Sequence, residues 1–301
     1  MSTATETTRS LAARQKSPST WAIAARKFRK NRLAMAGLSF ILLIVILSFL
    51  APVIATQDIT RVHFDQVEKK PSVEHWLGTD NNGRDVLTRL IHGGRISLTI
   101  GFSCVALVIL IGTLIGAVSG YYGGKIDGLL MRFTDFVLLF PFLPFIIVIN
   151  AIFIGKISGV WSLIIVISLL GWPGTARLVR GKVLAEKENE YILAAVSIGT
   201  KPYKIILKHL LPNVLSVVIV QASLLLAAFI VAETALTFLG FGVPQNIPSW
   251  GNMLSEARNS NVLRNKPWMW VPPATVITLT LLSINFMGEG LKDAFNPKSS
   301  R

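Results

Sequence analysis

Six apolar runs dominate the chain, and they limit its folding options more than any other feature. They lie at about 33–54, 96–118, 136–154, 160–172, 214–239 and 272–288. A helix needs roughly 20 apolar residues to cross a bilayer. Inside hydrocarbon every backbone polar group must be satisfied within the protein, so helices are the solution for runs of this length. Composition agrees: 51% of the 301 residues are hydrophobic and only 15% are charged, where soluble domains carry roughly 25% charged residues. The expectation is an all-α polytopic membrane protein with six transmembrane helices. The shortest run, 160–172, is interrupted early by Gly171, Trp172 and Pro173. The third contains Pro141 and Pro144, which membrane helices tolerate when neighbours re-satisfy the freed carbonyls.

The first run follows a long polar arm and is too long for the core of a signal peptide, so it reads as a retained span. The net charge of +14 does not point to nucleic acid, because the basic residues cluster at the ends of apolar runs. Arg26, Lys27, Arg29, Lys30 and Arg32 precede the first run, and Arg177 to His209 carries a further basic excess. Such asymmetry marks the cytoplasmic side. Six crossings then place both termini in the cytoplasm, with Lys292, Lys298 and Arg301 in the final tail. The segment 56–95 mixes acids, among them Asp58 and Asp80, with a similar number of bases, as expected of an outer loop. The division is a 1–32 arm, a first span at 33–55, the loop at 56–95, a core at 96–291 and a tail at 292–301. The first ~20 residues, rich in Ser, Thr and Ala, have the composition of a disordered segment.

Catalytic and ligand-binding patterns are missing. There is no G-x-x-x-x-G-K-[ST] phosphate loop, and Gly155-Lys156 lacks the spacing and the hydroxyl residue. Asp80-Asn81-Asn82-Gly83-Arg84-Asp85 fails as a calcium loop, since Arg84 occupies a ligand position. The four histidines show no metal spacing, and Cys104 is the one cysteine. The chain is therefore expected not to be an enzyme by itself and to hold no metal or cofactor.

Between the fourth and fifth runs lies EYILAAVSIGTKPYKIILKHLLPN, from Glu190 to Asn213. Tyr191, Ala194, Ala195 and Ile198 share one helical face. Gly199 suits a helix end that needs positive φ. Thr200 offers a cap and Pro202 fits the first turn of a second helix. Pro212 should kink that helix where the fifth run begins. Two readings fit the pattern: a helix lying on lipid headgroups, or a dock for a soluble partner that approaches the small alanines.

This stretch resembles the cytoplasmic E-A-A-x-x-x-G motif of permease subunits in binding-protein-dependent ABC importers. Ala194, Ala195, Gly199 and Leu211-Pro212 match in order and spacing; Leu193 stands where the motif has glutamate. His209 with Pro212 and Asn213 resembles the peptide-importing branch. HWLGTDNNGRDVLTRLIHGGRISLTIG (75–101), YYGGKIDGLLMRFTDF (121–136), ETALTFLGFGVPQNIPSWGNML (233–254) and NFMGEGLKDAFNP (285–297) are similar to the dipeptide, oligopeptide and nickel permeases. The long arm and extra first span are most similar to the "C" type oligopeptide permease subunit.

The resemblance implies the type I importer permease fold in a bacterial inner membrane. It also implies a homologous second permease, two ATPases that carry ATP and Mg, and an extracytoplasmic binding protein delivering peptide. Glu190 to Ile198 would be the coupling helix, with Gly199, Pro202, His209 and Pro212 shaping its connection to the fifth span. Cargo of dipeptides, nickel chelates or another small solute is the alternative. A stand-alone secondary transporter would carry coupling charges along several spans, which are sparse here.

Three polar residues fall at membrane depth: Asn150, Glu233 and Asn285. Each is a candidate either for interhelical pairing or for the translocation path, with pairing favoured. Gly112, Gly116 and Gly120, spaced by four, suggest close helix packing. Trp250, in the loop after the fifth run, suits an interfacial anchor, but the preferred reading is that this loop dips back or forms a short helix facing the binding protein.

Overall fold

The structure, a computed structural model, describes residues 20–54, 57, 59, 62–153 and 156–296. The disorder expected of the polar arm, the acidic Asp58, the end of the third run at Ile154 and the tail residues Lys298 and Arg301 lie outside them. Within the described residues every named element is a helix.

Helix α1 (Thr20–Lys30) leads through Asn31 into α2 (Arg32–Phe49), and Asn31 Oδ1 caps α2 by accepting the Ala34 N–H at 3.1 Å. A turn, α3 (Ala51–Ile54), and a loop precede α4 (Val86–Tyr122), which Asp85 caps by accepting the Thr88 N–H at 2.8 Å. Then come α5 (Gly124–Leu138), α6 (Phe142–Phe153), α7 (Gly159–Lys187), α8 (Glu190–Ser197) and α9 (Pro202–Ile205). A π-helical segment, Ile206–Leu210, joins α9 to α10 (Leu211–Phe238) without a break. α11 (Trp250–Ser255), α12 (Ser260–Asn265) and α13 (Pro267–Phe295) complete the order.

Five stretches are long and apolar enough to span: α2, α4, α7, the continuous Pro202–Phe238 and α13. The sixth crossing is the pair α5 and α6, bent by 83°. Pro141 sits in the break, where a missing N–H costs least. The pair runs from one side to the other. α5 starts beside Tyr121, whose carbonyl accepts from Lys187 Nζ at 2.6 Å, whereas Asn150 of α6 donates to the Phe241 carbonyl beyond the end of α10.

Several expected boundaries move. The second span starts at Val86, ten residues before the apolar run, because Asp85 nucleates the helix in the loop. The third begins at Gly124 and is broken. The fourth does not stop at Pro173: α7 continues to Lys187 with that proline inside. A proline removes one intrahelical hydrogen bond, but packing holds α7 on both sides of it, with Trp172 and Ala176 buried. Pro212 produces no break either. The chain takes up the change in the π segment, where the Leu211 N–H donates to Ile206 O, five residues back.

The most extensive interface joins α4 and α7. It depends on absent side chains. A Cβ on Gly112 would stand 2.6 Å from Thr175 Cβ, one on Gly120 2.9 Å from Val183 Cβ, and one on Gly116 would meet the Ala176 carbonyl. Small residues at i, i+4 and i+8 let two backbones approach, which in lipid replaces the hydrophobic drive by dispersion. Gly128 on α5 has open space around its missing Cβ. Gly116→Val should therefore lower the thermal midpoint of the detergent-purified protein, overpacking of this kind costing about 1–3 kcal/mol. Gly128→Ala should leave the midpoint level or raise it slightly.

Candidate functional site

The polar helix-turn-helix emerges as α8, a tight turn and α9. α8 seats Ile192 (0% exposed) and Ala195 (6% exposed) in a cluster with Val179 and Val183 of α7, Ala117 of α4, and Ile205, Leu210, Val214 and Val218. The face predicted from spacing is thus split. Ala195 turns inward, while Tyr191, Ala194 and Ile198 face outward, because Ile192 and Ala195 together make the strip that meets the bundle. The turn closes as a Schellman motif: Gly199, at φ +76°, donates to Val196 O at 2.9 Å and Thr200 donates to Ala195 O at 3.0 Å. Thr200 is not a side-chain cap. Lys201 takes the cap position of α9, ahead of Pro202 in its first turn.

A side-chain clamp holds α8 between its neighbours. The Tyr191 hydroxyl donates to Glu186 Oε2 of α7 at 3.1 Å and accepts from Asn213 Nδ2 of α10 at 2.6 Å. Asn189 Nδ2 donates to the same Glu186 oxygen at 2.8 Å, and Lys182 Nζ lies 3.6 Å from the other. The His209 ring lies 6.5 Å from that of Tyr191, tilted by 49°. Burial, then the adjoining Glu186 carboxylate, hold the Tyr191 phenol above its ordinary pKa, so the hydroxyl remains a donor at neutral pH. Glu190 and Pro212 are exposed beside this clamp. Sequence reasoning missed Glu186 and Asn213; their distances from Tyr191 in the chain carry no simple helical spacing.

Outside the clamp, α8 and α9 expose apolar surface. Ile198 is 82% exposed, and Leu193, Val196, Tyr203 and Leu207 are each about half or more exposed, with lysines Lys201, Lys204 and Lys208 between them. An amphipathic element with one face buried against a bundle and a second apolar face free is built to meet something else.

The polar residues at membrane depth divide differently. Glu233 is fully buried and accepts from Ser97 Oγ and Thr237 Oγ1, both at 3.0 Å. Ser97 in turn accepts the Trp250 N–H at 3.2 Å, which ties α4, α10 and α11 together. Asn150 is buried between Ser162 Oγ, which donates to it, and the Phe241 carbonyl. Both are interhelical ties. Asn285 differs: it is exposed, and no hydrogen bond to its side chain is seen among the described residues, so the favoured pairing is not found there and only the path alternative is left for it. It borders an open apolar face lined by Phe142, Ala228, Val231 and Leu281. Of the readings of the loop at Trp250, the short helix is the one seen: Trp250 opens α11, is 1% exposed and donates through Nε1 to Leu90 O at 3.1 Å, which locks α11 onto α4 and sets the interfacial-anchor alternative aside.

On that same side the 80–85 stretch forms a latch and holds no calcium-type constellation. Asp80 accepts from the Asn82 and Arg84 N–H groups and from Arg84 Nε, and lies 3.3 Å from Arg89 Nε. Asp85 meets His75 Nδ1 at 3.0 Å besides capping α4. Burial and the Asp80 charge push Glu256 up to about 7, against the opposing pull of Arg89 and Arg84; Glu68, itself paired with Lys266, adds to the rise. Among the described residues no cluster of His, Cys, Asp and Glu could hold a metal ion.

A bundle of six crossings, cross-tied by buried polar pairs and carrying an exposed amphipathic helix at one end, defines a polytopic membrane protein of the transport-subunit class. Residues 112–301 match the family "binding-protein-dependent transport system inner membrane component", and residues 19–71 match the "N-terminal TM domain of oligopeptide transport permease C"; the chain belongs to this family of ABC importer permeases. It is 39% identical to the dipeptide transport system permease protein DppC of Bacillus subtilis, over 92% of this chain and 85% of that protein. The oligopeptide transport system permease protein OppC of the same organism is 37% identical, over 94% and 92%. That of Haemophilus influenzae is 39% identical, over 93% and 89%.

Two outcomes test this geometry. Ala195→Leu should lower the thermal midpoint by unseating α8, at about 1–3 kcal/mol for overpacking, while Ala194→Leu, on the outer face, should not. The second concerns pH. Glu256 has a folded pKa of about 7, raised from 4.5. Its contribution to stability is therefore complete below pH 4.5 and lost as pH rises through about 7. Thermal midpoints of the wild type should fall across that window relative to Glu256→Gln, which removes the titration.

Proposed function

We propose that this chain is one of two permease subunits of a bacterial inner-membrane ABC importer for short peptides, and that α8 is its coupling helix. The observation that carries the reading is the exposed apolar surface of α8 and α9, fixed to two spanning helices by the Tyr191 clamp. A helix that merely lay on headgroups would need no such rigid attachment. A helix that transmits force does, since a loose joint dissipates motion. Its lysines suit the cytoplasmic side. The partners in this reading are a homologous permease across the open face that Asn285 borders, two ATPases holding ATP and Mg, and an extracytoplasmic binding protein above α11. The chain contributes no catalytic residue of its own.

Peptide cargo is favoured over nickel chelates by the relatives themselves, which are dipeptide and oligopeptide permeases. Within the proposed pathway, the apolar face beside Asn285 suits a passage that binds cargo weakly and through few polar contacts.

The deciding experiment is uptake by proteoliposomes containing the whole transporter. Ile198→Asp should place an unpaired charge at the centre of the dock and cut ATP-driven uptake by at least about tenfold, the scale of an interface hot spot. Insertion and permease pairing should persist. Unchanged uptake would reject α8 as the coupling element. For cargo, an amino-acid auxotroph lacking this gene should fail to grow when the required amino acid is supplied only as an oligopeptide; normal growth would reject the peptide assignment.

A further inference from the structure

Helix α1 carries a pattern that the transport reading leaves unused. Its inner face docks on α13 and the start of α2: Trp21 meets Phe295 edge-on at 5.2 Å, and Lys27 Nζ donates to the Asn296 carbonyl at 3.3 Å. Gly290 of α13 makes room for this contact, since a Cβ there would meet Ala34 and lie 3.2 Å from the Phe28 ring. The packing is nonetheless incomplete. A groove of about 390 Å³ remains, walled by apolar side chains such as Phe28, Leu38, Ile219 and Leu291, with Arg29 as the charged residue among its walls.

Beside the groove, Arg26, Lys27, Arg29, Lys30 and Arg32 follow within seven residues and no acid interrupts them. None of the five forms an ion pair among the described residues. Clustered cations without counter-ions repel one another, and an anionic surface relieves that. A neutral lipid would fill the groove and leave the charges unmet. A free phosphate would meet the charges and leave the groove exposed. An amphiphile with an anionic head satisfies both, and amphipathic basic helices at a membrane surface select such lipids.

We propose that the groove between α1 and the ends of α2, α10 and α13 binds an acidic phospholipid, its phosphate held at Arg29 and an acyl chain lying against Phe28, Leu38 and Leu291. The inference rests on the orientation proposed above only in assigning the lipid to the cytoplasmic leaflet. Cysteine accessibility at Lys30 tests that orientation separately. The lipid site is tested in the assembled transporter, held in phosphatidylcholine nanodiscs doped with photoactivatable phosphatidylglycerol or photoactivatable phosphatidylcholine. Mass spectrometry then reads which peptides are labelled. The glycerol probe should label the peptides of α1 and the end of α13 several-fold more than the choline probe. Arg29→Gln, which removes the phosphate contact, and Ala25→Trp, which fills the groove, should each reduce that labelling several-fold, while excess inorganic phosphate should not compete. Equal labelling by the two probes, competition by phosphate, or cross-links that place this chain's own residues 1–19 in the groove would each overturn the proposal. If a variant does not assemble, the probe contrast and the phosphate competition on the wild type still decide.

Discussion

The close approach of α4 and α7 sets the position of nearly every element that matters for function. Three glycines on α4 admit Thr175, Ala176 and Val183 of α7 to distances that any side chain would forbid. Both helices run beyond the apolar runs that define them in sequence, so the pair connects the two sides of the bundle as one stiff body. At one end α7 supplies Glu186 to the Tyr191 clamp, and Lys187 reaches back to the end of α4. At the other, the first turns of α4 receive Trp250, and the Asp80 latch grips Arg84 and Arg89. Lateral hydrophobic drive is weak between helices in lipid, so this geometry rests on packing distance.

The buried polar groups serve the same rigidity. A buried polar group is costly unless it is hydrogen-bonded, and Glu233 meets that cost with two hydroxyl donors on different helices. Asn150 does the same between α6, α7 and the loop after α10. With these groups engaged, the apolar face bordered by Asn285 is left with little polar character of its own.

The number of crossings and the place of the α8 turn were legible because each rests on a local signal: an apolar run, or a Gly199 that alone tolerates φ +76°. The glycine stripe at 112, 116 and 120 was legible for the same reason. What escaped was set by partners distant in the chain. Nothing local says that Pro173 is carried inside α7, because the support comes from α4. The inward turn of Ala195 depends on Ile192 meeting Val179 and Val183. Likewise Trp250 looks amphiphilic by itself and is buried only because Leu90 and Ser97 stand where they do. Which of its two alternatives Asn285 would take was equally illegible, for the sequence offers no sign that its neighbours leave it open.

The π segment at Ile206–Leu210 carries one residue more than an α-helical turn. Buried positions along this stretch run Ile205, Leu210, Val214, Val218, a step of five and then two steps of four. The extra residue is a phase correction. Without it, everything before Leu210 would be rotated by about 100° around the helix axis, and Ile205 would leave the cluster that seats α8. The azimuth of the α8 surface relative to the membrane helices is thus encoded by residue count in this segment, and a one-residue deletion there would re-aim that surface without altering a single residue on it.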